Sequence, residues 1–169
     1  MLVPDVGAKM GVTGIVKQFL EANDVAYQVF TYKHRCYRTV DILKVTPVPE
    51  WWVVKSIVVK EDGRFILAIL QTRRWIEIAR LKGELGNAGV RMAFEGELTG
   101  LFPECELGVV PPFGNLYGLE VWVDQPVTNN EKIVFKAGSH SETILINYKD
   151  FERLVRPKVA YFSGGKPWM

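Results

Sequence analysis

Three stretches of this chain hold residues whose types and spacing could do chemistry. The first is Lys55, within Val54-Lys-Ser-Ile-Val-Val59. In a strand, successive side chains alternate, which puts Val53, Lys55, Ile57 and Val59 on one face. Lysine is rarely buried unless paired, so its ammonium either lines a ligand cavity or marks an open edge. Ser56 falls on the opposite face and reads as filler. The second stretch is Gly108-Val-Val-Pro-Pro-Phe-Gly114. Gly108 and Gly114 let the backbone take conformations that a β-carbon forbids. Pro111 and Pro112 fix φ, remove two N–H donors and push Val110 towards extended geometry. The stiff loop that results suits the presentation of N–H groups to a ligand oxygen. A plain surface turn with Phe113 tucked beneath it fits the same residues. The third stretch, Ala137-Gly-Ser-His140, is a turn entering a late strand. A lysine can hold a phosphate as a point charge, and backbone N–H groups can hold a carbonyl or oxyanion. No general base stands out beside them.

Other catalytic sets are poorly supplied. Cys105 and His140 are a possible nucleophile pair, but their spacing does not bring them together. His34 and Cys36 lie two apart with no third metal ligand near. No Gly-x-Ser-x-Gly elbow, phosphate-binding P-loop or metalloprotease helix is present.

The elements that must position these residues follow from periodicity and punctuation. A first helix runs from about Thr13, its cap, to Asn23, with Ile15, Val16, Phe19 and Leu20 at helical spacing. Ala26–Tyr32 reads as a strand, and Thr39 caps a short helix through Lys44. Trp51–Lys60 and Phe65–Leu70 are strands joined at Asp62-Gly63, a strong hairpin signal. Ile76, Ile78, Ala79 and Leu81 form a helical stripe that Gly86 closes. Arg91–Ala93 reads as a short strand and Phe94–Leu101 as a short helix. Leu119–Val123, Lys132–Phe135 and Thr143–Ile146 read as strands, and Asn147 caps a helix through Phe151 and Leu154. Residues 157–169 read as a tail, packed through Tyr161, Phe162 and Trp168 or else loose. One domain, residues 1–156, precedes it.

Composition sets the broad class. The 169 residues suffice for one domain with a real core. The balance of 21 basic to 19 acidic residues announces no nucleic-acid binder, so any basic surface must come from clustering. Arg73, Arg74, Arg80, Lys82 and Arg91 are the densest cluster. This is usually a solvated helix face and less often a phosphate-contacting patch. Two cysteines make neither a disulfide framework nor a zinc set, and free thiols suit a reducing cytosol. The N-terminal residues lack the order of a signal peptide, and the longest apolar run is too short to span a bilayer. A soluble cytoplasmic protein is expected.

The three stretches, in this order and with a strand-turn-strand behind the lysine, resemble the YbaK/prolyl-tRNA editing-domain family. These are free-standing deacylases related to the editing insert of bacterial prolyl-tRNA synthetases. The likeness covers roughly Val12 to Arg156 and rests on Val54–Val59, Gly108–Gly114 and Ala137-Gly-Ser-His-Ser-Glu-Thr-Ile144. It implies a mixed α/β fold, with a curved, barrel-like sheet flanked by helices. It also implies hydrolysis of the ester between a mischarged amino acid and the terminal adenosine of tRNA, without metal or other cofactor. By motif, Lys55 takes the place of the family's phosphate-holding lysine, and Gly108 and Pro112 bound its carbonyl-gripping loop. Val110, Pro111, Phe113 and Gly114 belong to the substrate-binding part of that loop, and Gly138, Ser139 and His140 to a turn bordering the cavity. A histidine helps to read the amino acid in some members. The absent base fits a family in which the tRNA's own ribose hydroxyl orients water. Partners implied are aminoacyl-tRNA and an aminoacyl-tRNA synthetase. A tRNA-end binding module or synthetase-associated subunit without hydrolysis is the alternative. Trp51 and Trp52 depart from the family pattern near where relatives build part of the amino-acid pocket, which leaves alanine, cysteine, serine and proline all open.

Overall fold

The computed structural model describes residues 11–165. Its framework is a five-stranded sheet in the order β5-β2-β3-β6-β9. β2 is Val54–Glu61, β3 Arg64–Gln71, β5 Val90–Met92, β6 Glu120–Asp124 and β9 Lys158–Ala160. β2 and β3 form the expected hairpin, from Val54 opposite Gln71 to Glu61 opposite Arg64, and Asp62 takes φ +48° in the turn. β3 is central and buried on both sides, which explains its unbroken apolar run. Leu67 and Ile69 join one core, and Ile66, Ala68 and Leu70 join another.

The first core is closed by α1 (Val12–Ala22), α5 (Tyr148–Val155) and a three-stranded antiparallel sheet, β1-β8-β7. Here β1 is Tyr27–Thr31, β7 Lys132–Phe135 and β8 Glu142–Asn147. The second core is closed by α3 (Ile78–Leu85) and Phe162. Gly86 ends α3 at φ +63°, as its position predicts. The short elements α2 (Thr39–Leu43), β4 (Trp75–Ile76), α4 (Glu95–Leu101) and β10 (Ser163–Gly164) complete the fold, with β10 pairing β4.

Several expectations need correction. The mixed α/β class holds, but the sheet does not close into a barrel. Among the described residues, a single parallel bridge, Val53 to Val134 just ahead of β2, joins the two sheets, and beyond it no strand pairing links their edges. Thr13 does not cap α1. Gly11 occupies that place, and the Thr13 hydroxyl instead donates to the carbonyl of Ala137 at 2.7 Å. Trp51 and Trp52 lie in a 3-10 turn, Glu50–Trp52, because the strand starts after the bridge at Val53. Residues 158–164 supply β9 and β10, with Phe162 fully buried. Parallel pairing of β9 to β6 is long-range and leaves no local pattern. Trp168 and Lys166 lie outside the described residues. No described helix is long and apolar enough to cross a membrane.

Candidate active site

Where β2 and β7 part, a cavity of about 270 Å³ opens. Lys55, Gly108, Val110 and His140 line it together, so the cavity gathers all three stretches singled out by residue type. Ser56 and Thr72 line it too. Lys55 and Ser56 can share one cavity despite opposite faces, because the opening lies at a strand edge. Lys55 Nζ donates to the carbonyl of Thr72 at 3.3 Å and sits 5.7 Å from the centre of the Trp75 ring.

The loop is anchored from below. Phe113 is fully buried and meets the rings of Phe19, Phe135 and Phe151 edge-on, at 5.5, 5.5 and 5.8 Å. Pro111, Pro112 and Gly114 are buried with it and are not among the cavity's lining residues. A β-carbon on Gly114 would lie 2.5 Å from Val121 Cγ2. Gly108 is exposed, at φ +80°, with nothing within 4 Å of where a β-carbon would be. Its need for glycine is therefore conformational and not steric. The loop's donors are few, since Pro111 and Pro112 have none. Val109 N–H donates to the carbonyl of Glu106 at 3.3 Å. Among the described residues, neither Gly108 N–H nor Val110 N–H donates a hydrogen bond within the protein.

The Gly138–His140 turn lies behind the loop. Gly138 is buried at φ +87°, and a β-carbon there would come within 2.6 Å of Val12. Ser139 Oγ accepts from Ser141 N–H at 3.0 Å and is not among the lining residues. His140 Nδ1 lies 2.9 Å from Lys136 Nζ, and Nε2 lies 3.0 Å from the carbonyl oxygen of Leu107. Cys105 faces elsewhere. It is half-buried against Tyr117, and burial pushes its thiol up from the usual range, the reverse of what a nucleophile needs.

Sequence reasoning missed a second lysine and most of one wall. Lys136 lines the cavity, donates to the carbonyl of Cys36 and has its pKa lowered by burial. Its signal was a charge placed directly after the fully apolar Ile133–Phe135. Tyr37, Arg38, Thr39 and Ile42 also line the cavity, with the Tyr37 ring against that of His140, whereas Trp51 and Trp52 are not among the lining residues. The described lining residues include Arg38, Lys55 and Lys136 but no carboxylate. A concave site with one sign of charge concentrates anionic ligands.

The basic cluster divides. Arg74 Nε donates to Ser163 Oγ at 2.6 Å, and Arg80 pairs with Glu77 at 2.7 Å, both beside Tyr161. Arg91 pairs with Glu97 at 2.8 Å from β5, and Arg73 is exposed.

A cationic cavity edged by a lysine strand and a glycine-proline loop has the charge to hold an anionic ligand. The chain belongs to the aminoacyl-tRNA editing domain family, which it matches over residues 35–154. No curated protein matches it. Among solved structures, a hypothetical protein, APE2540, superposes with a TM-score of 0.79 at 18% identity, covering 88% of this chain and 99% of that one. A candidate trans-editing enzyme for prolyl tRNA synthetase superposes at 0.78 and 18% identity, over 89% and 95% of the two chains. A candidate signal transduction protein from Marinobacter aquaeolei reaches 0.71 at 16% identity, over 88% of this chain and 30% of that one. At such identities these likenesses establish the fold.

Proposed function

We propose that this protein is a trans-acting aminoacyl-tRNA deacylase, which hydrolyses the ester of a mischarged amino acid on tRNA. The observation that carries it is the meeting of Lys55 with the unengaged amides of Gly108 and Val110 at one cavity. Lys55 holds the phosphate of the terminal nucleotide. Gly108 and Val110 N–H receive the carbonyl oxygen and stabilise the negative charge that develops as water attacks. Pro112 stiffens the loop, and Phe113 anchors it. The ester C–O bond breaks, giving the free amino acid and restoring the ribose hydroxyl. A ribose hydroxyl of the substrate orients the attacking water, so the protein supplies charge and shape without a general base, metal or cofactor. The synthetase that mischarges the tRNA is a natural partner, since a pocket discriminates poorly against smaller or isosteric amino acids.

The test is incubation with a panel of mischarged tRNAs, in parallel with Lys55→Ala. Release of a specific amino acid by the wild type, and its loss in the variant, is expected. Binding of the tRNA end without hydrolysis by the wild type would identify a non-catalytic module instead. Near-wild-type turnover by Lys55→Ala would remove Lys55 from the mechanism.

A further inference from the structure

We infer that the Gly138–His140 turn, locked by Lys136, is a brace that sets the orientation of the two amides facing the substrate, and that His140 itself reads nothing. Its catalytic consequence rests on the deacylase reading; its geometry does not.

A peptide unit is planar, so a carbonyl and the N–H of the following residue turn together. The Gly108 N–H shares its plane with the Leu107 carbonyl, and the Val110 N–H with the Val109 carbonyl. Each of those carbonyls is gripped by the turn. His140 Nε2 lies 3.0 Å from Leu107 O, and Gly138 N–H donates to Val109 O at 2.7 Å. In return Glu106 N–H donates to the carbonyl of Gly138 at 2.9 Å. The two amides that make no bond within the described protein are thus the two whose planes are held from behind.

The histidine grip works only in one tautomer. An ammonium can only donate, so Lys136 requires an unprotonated Nδ1, and the ring proton must then reside on Nε2, where it points at Leu107 O. Both ring nitrogens are occupied, leaving none to take a proton from water or to bond a substrate side chain. The rest of His140 is equally fixed. Its N–H donates to Glu106 Oε2 at 2.9 Å, its carbonyl accepts from Cys36 N–H at 3.0 Å, and the Tyr37 ring lies 4.5 Å from its own. Glu106 is held in turn by Arg35 at 3.0 Å. Lys136 and His140 are positioning residues.

The experiment compares two substitutions at one site. The amide nitrogen of His140→Gln can take the place of Nε2 and donate to Leu107 O, whereas His140→Asn mimics only the Nδ1 side. The glutamine variant should keep kcat within about threefold, and the asparagine variant should lose about tenfold or more, the scale of one hydrogen bond. KM should move less than about twofold, and the loss should be the same factor for every ester hydrolysed, truncated aminoacyl-adenosines included. Lys136→Met should lower kcat about tenfold in the wild-type background but by less than about twofold beside His140→Gln. Long-range nitrogen–proton correlation spectra of the imidazole should show the proton on Nε2, and a shift towards mixed tautomers in Lys136→Met. Equal losses for glutamine and asparagine, or a loss confined to one amino acid, would overturn the brace. So would a proton on Nδ1, or a ring spectrum unmoved by Lys136→Met. If the wild type hydrolyses no ester at all, the deacylase reading fails, and the ring spectra alone decide the brace.

Discussion

Two parts of the cavity lining, the Gly108 loop and the segment from Tyr37 to Ile42, are built from different groups. The loop presents main-chain groups, pinned by bonds from the Gly138–His140 turn and by a phenylalanine in the core. The second part presents side chains. Tyr37 is 64% exposed with its ring against His140, and Arg38, just ahead of α2, bonds Asp41 at 3.0 Å. Reaction chemistry needs donors fixed to within a fraction of an ångström, and a braced main chain supplies that. Side chains at an exposed rim can change identity at little cost to the fold. If the protein is the proposed deacylase, the contrast gives catalysis to the first part and the choice of substrate to the second.

Breaking the braced wall should have the largest effect. Gly108→Val forces a β-branched residue into φ +80° and turns the amide away, which should cost about 10²–10³ in kcat. Pro112→Ala loosens the loop without deleting a donor and should fall between that and Val110→Ala, which keeps its N–H. Val110 is only 6% exposed and belongs to the core, so its truncation should lower the melting temperature while sparing turnover per folded molecule. Steady-state rates on the three purified variants check the order. Val110→Ala as the slowest would mean that side chains, not amides, hold the carbonyl.

The rim wall should answer differently. Arg38→Ala should raise KM several-fold with kcat nearly unchanged, and should leave thermal stability within about 1 kcal/mol, since its ion pair is exposed. A fall in kcat at saturating tRNA would give this wall a part in the chemistry.

Further from the cavity, Arg73 is exposed, while Arg80 is paired with Glu77 and Arg91 with Glu97. Charge reversal at Arg73 should flatten the salt dependence of tRNA affinity, by about 0.7–0.9 in slope for each phosphate no longer neutralised. Reversal at the paired Arg80 and Arg91 should flatten it less. Hydrolysis of a truncated aminoacyl-adenosine should be untouched by either. Equal slopes would reduce these arginines to a solvated face.

The smallest effect concerns stability alone. Glu97 accepts from Arg91, from the N–H of Phe94 and from Lys60, and these hold its carboxyl down to about 2. A carboxylate whose folded pKa is depressed contributes stability above its ordinary value near 4.5, and that share is lost as pH falls towards 2. Acid unfolding curves of Glu97→Gln should therefore be flatter than the wild type across this window.

Local features were the legible ones. The Asp62-Gly63 turn, the glycine stop at Gly86, the strand holding Lys55 and the stiffness of the Gly108 loop depend on neighbours in sequence, and residue type reports them. The Tyr37–Ile42 part of the cavity did not announce itself, because it meets the cavity of Lys55 only in the folded chain. Lys136 went unnoticed because Ile133, Val134 and Phe135 are all buried, which erases the alternation that drew attention to Lys55. His140 falls in the cavity turn by motif, but its ring partners, Lys136 and the Leu107 carbonyl, are brought to it by the fold. Thr13 looked like a cap because a hydroxyl at a helix start usually is one. Its bond to Ala137 spans 124 residues.

Asp124 carries a consequence for the order in which the chain can fold. This fully buried carboxylate, at the end of β6, accepts from the N–H groups of Phe162 and Ser163 and from the Ser163 hydroxyl. All three donors lie some forty residues further along, in the segment that also lays β9 against β6. On the ribosome, β6 is made well before its neighbour. Until residues 158–164 emerge, it presents an open edge and a carboxylate that must stay hydrated. That corner of the sheet is therefore sealed only once residues 158–164 are free to pair, and a chain cut just short of residue 158 would leave that edge of β6 and the Asp124 carboxylate without these partners.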